Sequence, residues 1–146
     1  MTSALFIIAG VLNIIAGLIH VWCIAGRDGA RYRLLGAGED MARMADAGKM
    51  CPHILTAGIA WALLFFGWLA FGEAGLVPRF GFGEGIAANL GRYILWILTA
   101  VYIVRGIGPL LASPFVGVFR RRFWIFSSLL ILVFGAVHLA ALSGVL

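Results

Sequence analysis

His20 and Cys23 stand three residues apart near the end of the first apolar run, and Cys51 and His53 stand two apart just before the second. Imidazole and thiolate are ligands of zinc or copper, so these four would make a Cys2His2 set if the two run ends met. The H-x-x-C and C-P-H spacings match no strong metal rule, and a neutral packing histidine accounts for each imidazole more simply. The sequence is therefore read as carrying no resident metal and no cofactor. A disulfide between Cys23 and Cys51 is disfavoured, because both fall on the side expected to be cytoplasmic and reducing.

Arg105 is a charge with no evident partner. It follows Arg92 by 13 residues. With Arg92 at one interface, Arg105 is about 20 Å farther along a helix and still within the apolar layer. An arginine there must snorkel, or find an acid or an anionic ligand. The apolar runs contain no carboxylate, so the available acids are Glu39, Asp40 and Asp46 in the loop between the first two runs. The expectation is an Arg105–Glu39 pair within a cluster of His20, Glu39, His53 and Arg105. Such a cluster would bind an anionic small molecule or a lipid headgroup, with His20 or His53 carrying protons near neutral pH. Gly106-Ile107-Gly108-Pro109, followed by Pro114, is expected to break the helix beside Arg105.

A Gly-x-x-His step occurs twice, at Gly17 to His20 and at Gly135 to His138. In the first run Gly10, Asn13, Gly17 and His20 recur at steps of three and four, which puts them on one helical face. Small residues there let helices approach closely, and polar ones then bond across the contact. If the first and last helices run in opposite directions, His20 and His138 differ by about 13 Å in depth. That separation excludes one haem held by both.

The elements that must position these residues follow from composition. Of 146 residues, 63% are hydrophobic and 12% charged, with a mean hydropathy of +1.06. A soluble chain of this size needs more polar residues to cover its surface. Four runs, at about 5–24, 54–71, 87–107 and 123–142, are long enough to span a bilayer. The expected fold is all-α, a single four-helix transmembrane domain over residues 1–146. The start at Met1-Thr2-Ser3-Ala4 lacks both a basic stretch and a small-residue cleavage pattern, so it reads as a retained helix rather than a signal peptide.

Between the first two runs, Glu39 to Gly48 is written like a short capped helix, acids first and glycine last. Lying at the interface, it would turn Met41, Met44 and Ala45 to the membrane or the bundle and Asp40 and Arg43 to water. Gly72 to Gly85 reads as a compact turn at the other side. No phosphate-binding glycine loop, Ser/His/Asp order or H-E-x-x-H is present, so catalysis of the soluble type has no support.

Eight of the eleven basic residues fall in two loops, at Arg27, Arg31, Arg33, Arg43, Lys49 and Arg120-Arg121-Arg122. The positive-inside rule places these loops in the cytoplasm and both termini outside. Trp22 and Trp124 then sit near the cytoplasmic interface and Trp68 near the outer one. The net charge of +5 is explained by this topology and by attraction to anionic lipid, with no nucleic-acid partner. The expected partners are membrane lipids, with a further copy of the chain or a larger membrane complex.

The stretch from Arg31 through Gly36-Ala37-Gly38-Glu39-Asp40-Met41, then Pro52 and Leu55-Thr56-Ala57-Gly58, resembles an uncharacterised family of short bacterial four-helix membrane proteins. Tyr102-Ile103-Val104-Arg105-Gly106, Phe123-Trp124 and Gly135 with His138 look like the rest of that pattern. The resemblance implies that the membrane is a bacterial inner membrane. It implies no reaction, but it marks Glu39, Arg105 and His138 as candidate ligand-binding positions. A weak architectural likeness to the MAPEG membrane enzymes lies in Arg43, Asp46, Lys49 and Pro52. The histidine and asparagine of their loop motif are missing, so glutathione binding does not carry over. Three functional classes stand open: a ligand-binding or catalytic membrane protein, a non-catalytic accessory or scaffold subunit, and a small oligomeric transporter. The surroundings of Arg105 discriminate the first two.

Overall fold

The computed structural model describes residues 2–83, 85–120 and 122–144, so Met1 and Arg121, named above, lie outside the described residues. The helices are α1 (Thr2–Gly26), α2 (Gly29–Leu34), α3 (Glu39–Asp46), α4 (Met50–Glu73), α5 (Leu90–Ala112) and α6 (Arg122–Ser143). Among the described residues there is no strand. The chain is all-α, and α1, α4, α5 and α6 are each long and apolar enough to cross a membrane. Their outer faces carry exposed Ile15, Leu18, Ile59, Ile97 and Val104, as a surface meeting hydrocarbon requires. Two compact units can be described separately, residues 13–65 and residues 1–12 with 66–146.

In the second of these, α5 and α6 pack closely because glycines admit the partner helix. A methyl group on Gly106 would fall 2.6 Å from Leu132 Cγ and 3.1 Å from the Ser128 carbonyl. One on Gly135 would meet Ile103 at 3.1 Å and Tyr102 at 3.4 Å. The Tyr102 ring stands edge-on to Phe134 and to His138, at 5.7 and 5.5 Å between centroids. At the other end of the pair, Arg92 Nη2 donates to the Leu142 carbonyl (3.0 Å), one of the last acceptors of α6. After α4, the Phe80 carbonyl accepts the Gly91 amide (2.9 Å), and the Phe80 ring meets Trp68 edge-on.

The expected break beside Arg105 does not occur. Helix α5 continues through Gly106, Gly108 and Pro109 to Ala112. Pro109 removes only the bond that its amide would donate to the Arg105 carbonyl. A helix in apolar surroundings keeps its other bonds, because each backbone group left unsatisfied in hydrocarbon costs several kcal/mol.

In the unit 13–65, Gly17 lies on α4: a Cβ there would meet Leu64 at 2.9 Å and the Ala60 carbonyl at 3.3 Å. The loop after α1 holds two short helices, not one. Asp28 caps α2, its Oδ1 accepting the Arg31 amide (2.9 Å). The cluster Gly26-Arg27-Asp28-Gly29 therefore ends one helix and starts another. Helix α3 matches the expected segment, with Gly38 before it and Gly48 beyond it, both at positive φ. Its buried residues are Ala42 and Ala45, with Met41 and Met44 half-buried, while Asp40 pairs with Arg43 in the open. Cys23, Tyr32, Ala42 and Ala45 form a small buried core with Leu35 against it.

Candidate functional site

Helix α2 brings Tyr32 inward at 1% exposure, and the Tyr32 hydroxyl lies 2.7 Å from His53 Nδ1. His53 is in the first turns of α4, where Pro52 fits because the early helical amides have no intrahelical acceptor. The two rings meet edge-on at 5.6 Å, and Thr56, one turn on, shares a hydrogen bond with the phenol. Burial pushes the Tyr32 phenol above its ordinary pKa, with the Thr56 bond opposing. With the His53 proton on Nε2, Tyr32 donates to Nδ1.

His20, in α1, places its Nδ1 2.8 Å from the Ala16 carbonyl, so Nδ1 carries the proton it donates. The lone pair of neutral His20 is then on Nε2. His20, Tyr32 and Thr56 line one recess of about 390 Å³, whose other walls include Leu35, Met41, Leu55 and Ile59. Of the expected cluster, the structure thus brings together His20 and, through Tyr32, His53.

Glu39 is engaged elsewhere. Arg33 binds it with two nitrogens, Nη2 to Oε1 at 2.9 Å and Nε to Oε2 at 3.0 Å, and reaches Asp46 Oδ2 at 3.1 Å with Nη2. Asp46 Oδ1 also accepts the Gly29 amide at 2.6 Å. One arginine thereby ties both ends of α3 to α2. The Arg33 contacts hold the Glu39 carboxyl below its ordinary range, and the Gly29 amide, then Arg33, does the same for Asp46. The expected Arg105–Glu39 pair is therefore corrected to Arg33–Glu39. A partner six residues away on the same loop costs less chain ordering than one on a distant helix.

Arg105 instead lies over the Trp124 ring, its guanidinium carbon 4.8 Å from the ring centroid. Its Nη1 is buried and has no hydrogen-bond partner among the described residues. Ile97, Ala100, Val101, Val104 and Arg105 line an open groove of about 510 Å³ along α5. Trp124, at the start of α6, has the aromatic character expected near an interface, and so does Trp22, which receives Arg31 over its ring at 4.4 Å.

His138 is fully buried, with Nδ1 2.9 Å from the Phe134 carbonyl and its ring on Tyr102. These contacts give His138 a packing role between α5 and α6, bonded to the backbone of its own helix. Cys23 is buried and Cys51 exposed, both as free thiols. Among the described residues no three His, Cys, Asp or Glu side chains converge as a metal site, so His20, Cys23, Cys51 and His53 do not form one set.

Sequence reasoning missed Tyr32 and Thr56 as site residues. The available signal for Tyr32 was Asp28 followed by Gly29-Ala30-Arg31, a helix cap with a tyrosine one turn later.

Compared with family models, with curated proteins and with solved structures, the chain matches none.

Proposed function

We propose that the chain is a small inner-membrane protein that binds an anionic amphiphile on the side of its basic loops, with Arg105 as the anion contact. Both termini lie on the periplasmic side in this reading, and the bound group is the headgroup of an anionic lipid or a free anion of like chemistry. The observation that carries it is the Arg105 guanidinium. The Arg105 side chain borders an apolar groove on α5 through its carbon atoms, while the guanidinium stacks on Trp124 and has a buried nitrogen without an acceptor among the described residues. A charge in that layer costs about 2.5 to 3.5 kcal/mol on insertion scales, and among the described residues no carboxylate pairs with Arg105. An acyl chain along Ile97, Val101 and Val104 would place its phosphate or carboxylate head beside this guanidinium.

Native mass spectrometry in mild detergent tests it. Wild-type protein should retain phosphatidylglycerol in preference to phosphatidylcholine of equal chain length, and Arg105→Gln should lose that preference. Inorganic phosphate that displaces the lipid would assign the affinity to the anion alone. Equal retention by wild type and variant would overturn the reading and favour an accessory subunit.

A further inference from the structure

The recess formed by His20, Tyr32 and Thr56 differs in kind from the Arg105 groove, because no ionised side chain lines it. Two of its polar groups are already engaged. Tyr32 is bonded to His53 and to Thr56, which fixes the phenol in place. His20 differs: its Nδ1 is committed to Ala16, and Nε2 has no hydrogen bond within the described residues. In the neutral imidazole this leaves one fixed acceptor in a recess otherwise walled by Leu35, Met41, Leu55 and Ile59.

Its position along the helices adds a second constraint. His20 lies six residues before the end of α1 and Thr56 six residues after the start of α4. Each is about 9 Å inside its helix end, at the depth where a lipid's polar head gives way to its tail. Leu55 and Ile59 are 54% and 50% exposed, so this wall continues onto the outer face of α4. A molecule seated here can leave its tail along that ridge and need not cross water.

From these observations we infer that the recess binds an uncharged amphiphile whose head is a hydroxyl, donated to His20 Nε2, and whose tail runs along Leu55 and Ile59. A neutral head fits because a carboxylate or ammonium would be desolvated with no ionised partner. The hydroxyl fits because an acceptor on a side chain that lines an apolar recess is satisfied by a single O–H. The volume of about 390 Å³ lies within the range of small-ligand sites. This site is independent of the Arg105 reading, since it uses other residues and takes an uncharged head in place of an anion.

Photolabelling in nanodiscs tests the inference with three probes that share one diazirine-bearing chain and end in a hydroxyl, a carboxylate or a methyl group. The alcohol should label residues 35–41 or 55–59, and excess unlabelled hexadecanol should compete. His20→Phe, which keeps a ring and removes the acceptor, should lower this labelling roughly fivefold, the value of one neutral hydrogen bond. Leu35→Trp, which fills the recess and leaves His20 intact, should also abolish it, and unchanged melting would show that neither loss reflects unfolding. If either variant fails to melt cooperatively, competition by hexadecanol but not hexadecane on wild-type protein decides the same point. Equal labelling by the methyl-ended probe would overturn the inference, as would stronger labelling by the carboxylate or undiminished labelling of His20→Phe. Loss of lipid preference in Arg105→Gln with alcohol labelling intact would separate the two sites.

Discussion

The Tyr32 hydroxyl lies 2.7 Å from His53 Nδ1, with both residues buried. This one bond fastens α2 to the first turns of α4. Tyr32→Phe should destabilise the protein by about 1–3 kcal/mol, because it leaves the buried imidazole without its partner. A double-mutant cycle with His53→Phe should show a coupling of about 0.5–3 kcal/mol in detergent unfolding. Because the Tyr32 pKa is raised on folding, this contribution is present below the ordinary tyrosine value near 10 and is lost as pH rises through the folded value. Additive losses would show that the bond carries no stability.

Arg33 supports the other fastening, and its signature is acid sensitivity. The Glu39 and Asp46 carboxyls both titrate below their ordinary ranges, so they stabilise the α2–α3 pair above pH of about 4. That contribution is lost as pH falls through the lowered values. Hydrogen exchange at the amides of α3 should therefore quicken on acidification. Arg33→Gln should quicken it already at pH 7 and flatten the acid dependence. The same acid profile in wild type and variant would contradict the assignment.

Gly106 and Gly108 lie two residues apart on α5, yet their surroundings differ. Gly106 faces Leu132 and the Ser128 carbonyl, whereas a Cβ on Gly108 would meet nothing within 4 Å. Gly106→Ala should lower thermal stability by about 1–3 kcal/mol, the usual cost of overpacking. Gly108→Ala should be neutral or stabilise by up to about 1 kcal/mol through helix propensity. A reversed order would mean that α5 and α6 do not meet through Gly106.

The basic loops predict that a phosphatase fused after Leu146 is active in the periplasm, while one inserted after Lys49 is silent. Activity of the second fusion alone would invert the topology and move both proposed sites to the other face.

The spans were legible in the sequence because uninterrupted apolar length is a sufficient signal. The segment from Glu39 to Gly48 was legible because its ends are marked. Helix α2 was not: at six residues it is too short for periodicity, and its cap Asp28 sits within a cluster that equally signals a stop. The continuation of α5 past Pro109 was hidden because Gly and Pro are read with aqueous costs, whereas hydrocarbon raises the cost of breaking a helix. The partner of Glu39 was misjudged for a related reason. Arg105 needs an acid more than Arg33 does, but proximity along the loop, not need, gave Glu39 its partner. Tyr32 escaped notice because its importance depends on meeting His53, a contact between segments 21 residues apart.

If Arg105 binds an anion at the membrane boundary, Trp124 beneath its guanidinium is a direct reporter of it. Trp124 fluorescence should be followed while phosphatidylglycerol is titrated into the detergent-solubilised protein, with Trp124→Phe identifying its share of the signal. Anion binding at Arg105 should give a saturable change with phosphatidylglycerol, little with phosphatidylcholine, and at least about tenfold weaker binding in Arg105→Gln, from loss of a charged hydrogen bond. An identical response to both lipids, or one that survives in Arg105→Gln, would contradict it.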